Sequence, residues 1–95
     1  MRLVIALRAR RDLAEAIAFI AADDPDAADR VAARLRSAAA KLVEFPALGA
    51  LYGGRDRRVF SVPRTPFRLV NRARKDRLTI LRIWHGARGW PPGSS

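Results

Sequence analysis

Residues 78–85, with the sequence Leu-Thr-Ile-Leu-Arg-Ile-Trp-His, form a nearly continuous run of apolar side chains. A short run rich in Ile, Leu and Trp is typical of a β-strand. A strand that lacks clear alternation of apolar and polar residues is expected where both of its faces are partly covered. The sequence therefore predicts that residues 78–85 form an interior strand of a sheet.

Two further strands are predicted before this one, at residues 57–62 and 66–72. The connection at residues 73–77 is short and charged, which indicates that the last two strands are antiparallel neighbours in a hairpin. Residues in the middle strand alternate in character, so successive side chains should face opposite sides of the sheet. The two predicted sets are Phe67, Leu69 and Asn71 on one side, and Arg68, Val70 and Arg72 on the other.

Upstream of these strands the apolar spacing changes to that of helices. Leu13, Ile17 and Ile20 recur at helical spacing and predict an amphipathic helix from Ala9 to about Ala22. Asp24 is the expected N-cap of a second helix, with Pro25 in its first position. That helix is expected to end before Phe45-Pro46 and Gly49, and the two helices should pack as an antiparallel hairpin.

A short aliphatic strand at residues 2–7 precedes the helices, so the predicted element order is β-α-α-β-β-β. We expect an α+β fold in which the helical hairpin packs on one face of a small, largely antiparallel sheet and leaves the other face open. A chain of 95 residues fits one domain, which we place at residues 1–90. Residues 91–95 are expected to form a flexible tail.

Composition excludes several functional classes. The chain has no cysteine, which rules out disulfides, thiolate metal sites and a cysteine nucleophile. With a single histidine, a metal site is also not expected, and no phosphate-binding glycine loop is present, so we predict no cofactor. No apolar run approaches the ~20 residues that a membrane span needs. We expect a cytoplasmic protein without a membrane partner.

Positive charge is concentrated in the second half of the chain. The formal net charge is +10; residues 1–50 carry eight basic and seven acidic side chains, whereas residues 51–95 carry eleven and two. Such asymmetry favours a polyanionic partner, either nucleic acid or an acidic protein segment. The alternative is a compositional bias, because seventeen of the nineteen basic residues are Arg and the chain is rich in Ala.

The candidate reactive residues are a set of arginines and one histidine in the C-terminal strands. Cleavage of RNA needs a base, cations that stabilise charge on the phosphate, and an acid for the leaving oxygen, roles that arginine and histidine can fill. The alternatives are a solvated sheet edge for the arginines and a structural hydrogen bond for His85. Trp84 and Trp90 could stack on bases, or could serve as core and packing residues.

Several segments resemble the RelE/ParE superfamily of type II toxins. The resemblance covers nearly the whole chain, up to about Trp90, and is closest to the ParE branch. It is carried by the element order and by four segments, namely Ala14–Ile20 with Asp24–Ala28, Phe45–Gly49, Pro66–Val70 and Ile80–Arg88. It implies a toxin, associated with plasmid stabilisation and growth arrest, that a cognate acidic antitoxin neutralises in a hetero-oligomeric complex.

The two branches imply different activities. ParE-branch members poison DNA gyrase by binding, without chemistry of their own. RelE-branch members cleave mRNA on the ribosome, with Arg68, His85 and Arg88 as the matching candidates here. The RelE pattern is incomplete, because Val59 and Ser61 stand where lysines are usual and no tyrosine follows Tyr52. Asn71 departs from the ParE pattern, which usually has an aromatic residue there.

Three hypotheses remain open from the sequence: a gyrase-binding toxin, an mRNA endonuclease, and a basic module that binds nucleic acid. The residues expected to bind the target or the antitoxin are Arg57, Arg58, Arg68, Arg72, Arg82, Arg88 and Trp90.

Overall fold

The computed structural model describes residues 1–53 and 56–86. The predicted order of elements is confirmed, with one additional two-residue strand after the helices. The predicted tail, together with Arg88 and Trp90, lies outside the described residues. The elements are β1 (Arg2–Ile5), α1 (Leu7–Asp23), α2 (Pro25–Glu44), β2 (Ala50–Leu51), β3 (Arg57–Ser61), β4 (Phe67–Arg74) and β5 (Arg77–His85).

The junction of the two helices follows the sequence prediction. The Asp24 carboxylate accepts a hydrogen bond from the Ala27 N–H at 3.1 Å, and Pro25 occupies the first turn of α2. This capping satisfies a backbone donor that the helix itself cannot satisfy. The first helix begins at Leu7, two residues before the predicted start, and runs to Asp23.

All five strands form one sheet in the order β1-β5-β4-β3-β2. Strand β1 is parallel to β5, and the other neighbours are antiparallel. Strand β5 therefore lies between two strands, and the prediction that it is an interior strand is confirmed. The predicted hairpin of β4 and β5 is also confirmed.

A bulge in β5 explains why the sequence of this strand shows no alternation. Val70 pairs with Arg82 but Asn71 pairs with Ile80, which leaves Leu81 as an extra residue. The bulge shifts the pattern of side-chain directions by one residue. Ile80 and Ile83 consequently face the same side of the sheet, although three positions separate them.

The helices cover one face of the sheet and form the core there. Buried leucines of α2, Leu35 and Leu42, pack with Leu69, Leu78 and Ile80 of the sheet. Asn71, 0% exposed, lies in the same face. Its amide Nδ2 donates to the carbonyl oxygens of Leu69 at 3.1 Å and Arg58 at 3.3 Å, so the buried polar side chain is held by backbone.

Strand β2 and the preceding turn are fixed to β3 by close backbone contact. A Cβ atom at Gly49 would lie 2.8 Å from the Val59 carbonyl oxygen, so only glycine fits. The Arg58 guanidinium donates to the carbonyl oxygens of Gly49 at 2.7 Å and Ala47 at 3.3 Å. Arg58 therefore anchors the turn between α2 and β2.

Candidate interaction face

The face of the sheet that the helices leave uncovered is called the open face here. The strand register assigns its residues, because side chains directly opposite each other on neighbouring strands lie on the same side. The alternation predicted for β4 is confirmed, with Arg68, Val70 and Arg72 on the open face. Its basic residues are Arg2 on β1, Arg57 on β3, Arg68, Arg72 and Arg74 on β4, and Arg77 and Arg82 on β5.

Arginines meet arginines across the strands at one end of this face. Arg77 lies opposite Arg74 on one side and opposite Arg2 on the other. Two residues further along β4, Arg72 lies opposite Arg57. Like charges directly opposite each other destabilise a sheet. The arginine pairs at this end of the open face therefore lower the stability of the free protein.

One carboxylate offsets part of this charge. The Arg74 Nε donates to an Asp56 carboxylate oxygen at 2.6 Å. That hydrogen bond, together with the positive charges of Arg74 and Arg72, holds the pKa of Asp56 below its ordinary value, against a smaller opposing effect of desolvation. The Asp56 side chain is 39% exposed and that of Arg74 65%, so the interaction is screened by solvent.

Aromatic side chains occupy the middle of the open face. The rings of Tyr52, which follows β2, and Trp84, in β5, meet edge to face with centroids 5.9 Å apart. Strands β3 and β4 lie between β2 and β5, so the contact between the two rings spans the open face above these two strands. Val70 is buried on this side of β4, and the Arg82 guanidinium carbon lies 5.8 Å from the centroid of the Trp84 ring.

Asp12 on α1 hydrogen-bonds to the part of the β5 edge that extends past the end of β1. Its carboxylate accepts hydrogen bonds from Arg82 Nε at 2.8 Å, from a terminal Arg82 nitrogen at 3.2 Å, and from the Ile83 N–H at 2.9 Å. Strand β1 ends at Ile5, opposite Ile80, so among the described residues no strand pairs with Ile83 on the edge of β5 that faces away from β4. Asp12 takes the place of the missing strand and fixes Arg82 on the open face.

Arg68 lies at the opposite end of the open face from the arginine pairs. Its guanidinium is 3.3 Å from the position that a Cβ atom at Gly86 would take. The Gly86 N–H in turn donates to the Pro66 carbonyl at 2.6 Å. A side chain at position 86 would therefore crowd the Arg68 guanidinium at the end of β5, and glycine avoids this contact.

His85 lies on the other side of the sheet, beneath the helices. Its ring meets Phe67 edge to face with centroids 5.2 Å apart. Both residues line a cavity of about 350 Å³ whose wall on α1 includes Asp12, Glu15 and Phe19. The bulge in β5 produces this placement, because simple alternation from Leu78 would put His85 on the open face.

The structure therefore brings together Arg57, Arg68, Arg72 and Arg82 of the predicted binding residues. Arg58 anchors the turn before β2, and His85 lies on the opposite side of the sheet from Arg68. Three arginines that sequence reasoning did not select, Arg2, Arg74 and Arg77, share the open face. Period-two spacing from Arg72 would have found Arg74, whereas Arg2 and Arg77 required the strand pairing. Among residues 1–53 and 56–86, no three His, Asp or Glu side chains are grouped to hold a metal ion.

Comparison with known proteins tests the resemblance noted in the sequence. Residues 3–90 match the family described as the ParE toxin of the type II toxin-antitoxin system, parDE. The chain belongs to the ParE toxin family. The match spans every described element except the first residue of β1, and it includes all the arginines of the open face other than Arg2.

One relative agrees with this assignment, and one solved structure shares the fold. The chain is 39% identical over 85 residues to Y4kP, a candidate toxin of Sinorhizobium fredii, and the alignment covers 90% of this chain and 88% of Y4kP. A solved structure described as the chromosomal ParDE TA system from P. aeruginosa has the same fold, with a TM-score of 0.79 at 22% identity. That alignment covers 90% of this chain and 95% of the other. In the part of this ParE toxin that the structure describes, neither helix is long and apolar enough to cross a membrane.

Proposed function

We propose that this ParE-family toxin arrests growth in the cytoplasm by binding DNA gyrase, and that a cognate acidic antitoxin neutralises it by covering the open face. Membership of the ParE family carries the proposal, because the resemblance to the ParE branch implies gyrase as the target. The open face supports it, because the arginines there lie against one another without enough carboxylates to offset them.

The residue placement favours binding over RNA cleavage. In the endonuclease hypothesis Arg68 and Arg88 stabilise the phosphate while His85 transfers protons; Arg88 lies outside the described residues. The side chains of Arg68 and His85 lie on opposite faces of the sheet, with His85 against Phe67 in the cavity below. A single phosphodiester on the open face could contact Arg68 but would be separated from the His85 ring by the sheet. We therefore do not assign Arg68 and His85 to one catalytic centre.

An acidic antitoxin segment fits the open face by charge and by the exposure of its arginines. Opposite charges across an interface speed association and fix the orientation of the partner. An extended or disordered segment that orders on binding can follow such a face over a long distance. We propose a toxin–antitoxin hetero-oligomer in which antitoxin carboxylates lie against Arg68.

A gyrase reaction tests the target. Purified toxin is added to gyrase with relaxed plasmid and ATP, and supercoiled, linear and nicked products are separated on a gel. We expect loss of supercoiling and accumulation of cleaved DNA. Arg68→Glu should weaken the effect at least tenfold, while the matched control Arg30→Glu, an exposed α2 position, should not.

Primer extension on translated mRNA is the opposing measurement. New 5′ ends in a translation extract, with gyrase unaffected, would contradict the proposal and favour the endonuclease hypothesis. For the antitoxin, the product of the adjacent reading frame should bind the toxin and restore gyrase activity. Binding that is insensitive to Arg68→Glu would place the antitoxin on another surface.

A further inference from the structure

The end of the open face next to the hairpin of β4 and β5 carries a two-dimensional set of arginines. The set, called the arginine grid here, comprises Arg2, Arg57, Arg72, Arg74 and Arg77. One row crosses β1, β5 and β4, and the next crosses β4 and β3. Neighbouring strands are about 4.8 Å apart, so the guanidinium groups cover an area rather than a single point.

This arrangement lowers the stability of the free protein, and a single ion pair offsets only part of the repulsion. Within the described residues, Arg74 is the one grid member with an ion pair, to Asp56. Arg77 faces an arginine on each side, and Arg72 faces Arg57. A solvated surface would need no such juxtaposition, and in the described part of the chain Asp56 is the one carboxylate that forms an ion pair with the grid. The grid is therefore built for an anionic ligand.

The lining of the grid identifies the class of ligand. One groove, of about 290 Å³, is lined by Arg72, Arg74, Lys75, Arg77 and Thr79. A second, of about 370 Å³, is lined by Tyr52, Gly53, Asp56, Arg57, Arg72 and Arg74. Tight protein partners bury apolar or aromatic anchors in pockets, whereas these grooves are lined, apart from Tyr52, by charged and polar residues and one glycine. A phosphate backbone needs no such anchor, because charge neutralisation and counterion release supply its affinity.

Duplex and single-stranded nucleic acids differ in what they need from a protein. Single strands are held largely by stacking of their bases on aromatic rings. Tyr52 is the aromatic residue that lines the grooves, and its ring is in contact with Trp84. Guanidinium groups, in contrast, bind phosphate oxygens in a bidentate manner. The grid, which consists of guanidinium groups, thus fits the phosphate groups on the outside of a duplex.

We infer that the arginine grid binds the phosphate backbone of duplex DNA without reading its sequence. The grid gives the toxin its own contact with DNA, independent of any protein partner. A role for this contact in holding DNA within the gyrase complex rests on the proposed function. Binding of the grid to a naked duplex does not depend on the proposed function.

Fluorescence anisotropy with a labelled 24-base-pair duplex tests the inference in the absence of gyrase. If the five grid arginines contact phosphates, the logarithm of the affinity should fall against the logarithm of salt concentration with a slope of about −4 to −5. The variant Arg72→Gln/Arg77→Gln should reduce that slope by about 2 and weaken binding at least tenfold. The control Arg30→Gln/Arg36→Gln removes the same charge from exposed positions of α2 and should change the affinity less than threefold.

Protein stability separates a binding role from a structural one. Arg72→Gln and Arg77→Gln each remove one side of a like-charge pair, so the melting temperature should stay equal or rise while DNA affinity falls. Equal weakening by the grid and helix variants would overturn the inference and attribute binding to net charge alone. Tighter binding to the single strand, or to an acidic 20-residue peptide at the same salt concentration, would overturn it as well.

Gyrase assays with the same variants distinguish the two proposals. If naked duplex is not bound but toxin still causes cleaved DNA to accumulate, the inference fails and the proposed function stands. If the duplex is bound through the grid but gyrase is unaffected, the proposed target is wrong and the DNA site remains.

Discussion

The two faces of the sheet differ in what their residues contribute. On β4, Leu69 is 1% exposed beneath the helices, while its neighbours Arg68 and Arg72 lie on the open face. The helix-facing side buries apolar surface, which is the main source of folding free energy. The open face sets arginine against arginine, which costs stability. The comparison separates residues that stabilise the fold from residues that lower its stability.

Loss of a core leucine should have the largest effect on stability. Leu69→Ala removes a side chain buried between the sheet and α2, and we expect the free energy of unfolding to fall by about 2–5 kcal/mol. Urea denaturation followed by far-ultraviolet circular dichroism measures this. The control is Leu51→Ala in β2, 64% exposed, which should cost less than about 0.5 kcal/mol. Similar losses in the two variants would contradict the assignment of the core.

Removal of the edge contact at β5 should be the next largest effect. The Asp12 side chain, 12% exposed, accepts three hydrogen bonds from Arg82 and Ile83. Asp12→Ala leaves these donors without their acceptor, and we expect a loss of about 1.5–3 kcal/mol in urea denaturation. Hydrogen exchange of the Ile83 amide should accelerate.

The variant Asp12→Asn separates the charge from the hydrogen bond. Its amide oxygen can still accept from the Ile83 N–H but no longer pairs with the Arg82 charge. Stability between wild type and Asp12→Ala is therefore expected. An unchanged Ile83 exchange rate in Asp12→Ala would show that another group protects this edge.

Local patterns in the sequence were enough to predict most of the fold. Capping at Asp24, the helical spacing of Leu13 and Ile17, and the alternation in β4 each depend on neighbours within a few residues. The extra strand β2 was missed because two residues cannot show a period. Its position depends instead on the close approach of Gly49 to Val59.

The candidate site was only partly predictable, because it depends on contacts that are distant in the sequence. The pair of Asp12 and Arg82 joins residues seventy positions apart. The side of the sheet that His85 occupies depends on the bulge at Leu81, whose signal in the sequence, a lack of alternation in β5, is equally expected of a strand covered on both faces. Arg2 and Arg77 meet only because β1 and β5 are parallel neighbours.

Relief of charge repulsion on the open face should stabilise the protein slightly. Arg72→Gln removes one member of the pair with Arg57, and we expect a gain of about 0.2–0.5 kcal/mol at low salt. Arg57→Gln should give a similar gain, and the double variant less than the sum, because a single repulsion is removed twice. Arg30→Gln on α2 serves as the control. Added salt should raise the stability of the wild type more than that of Arg72→Gln, and a loss of stability in Arg72→Gln would contradict the repulsion.

The smallest expected effect is the pH dependence contributed by Asp56. Its pKa is lowered in the folded protein, first by the hydrogen bond from Arg74 and then by the charges of Arg74 and Arg72. A carboxyl whose folded pKa lies below its unfolded value of about 3.9 stabilises the fold above that value, and this contribution is lost as the pH falls through the folded pKa. Melting temperatures measured across this acidic range should therefore decline less steeply in Asp56→Asn than in the wild type. Arg72→Gln should raise the pKa of Asp56 toward its ordinary value and give an intermediate slope, because the hydrogen bond from Arg74 remains. Equal slopes in all three proteins would mean that solvent screens the Asp56 carboxylate from both arginines.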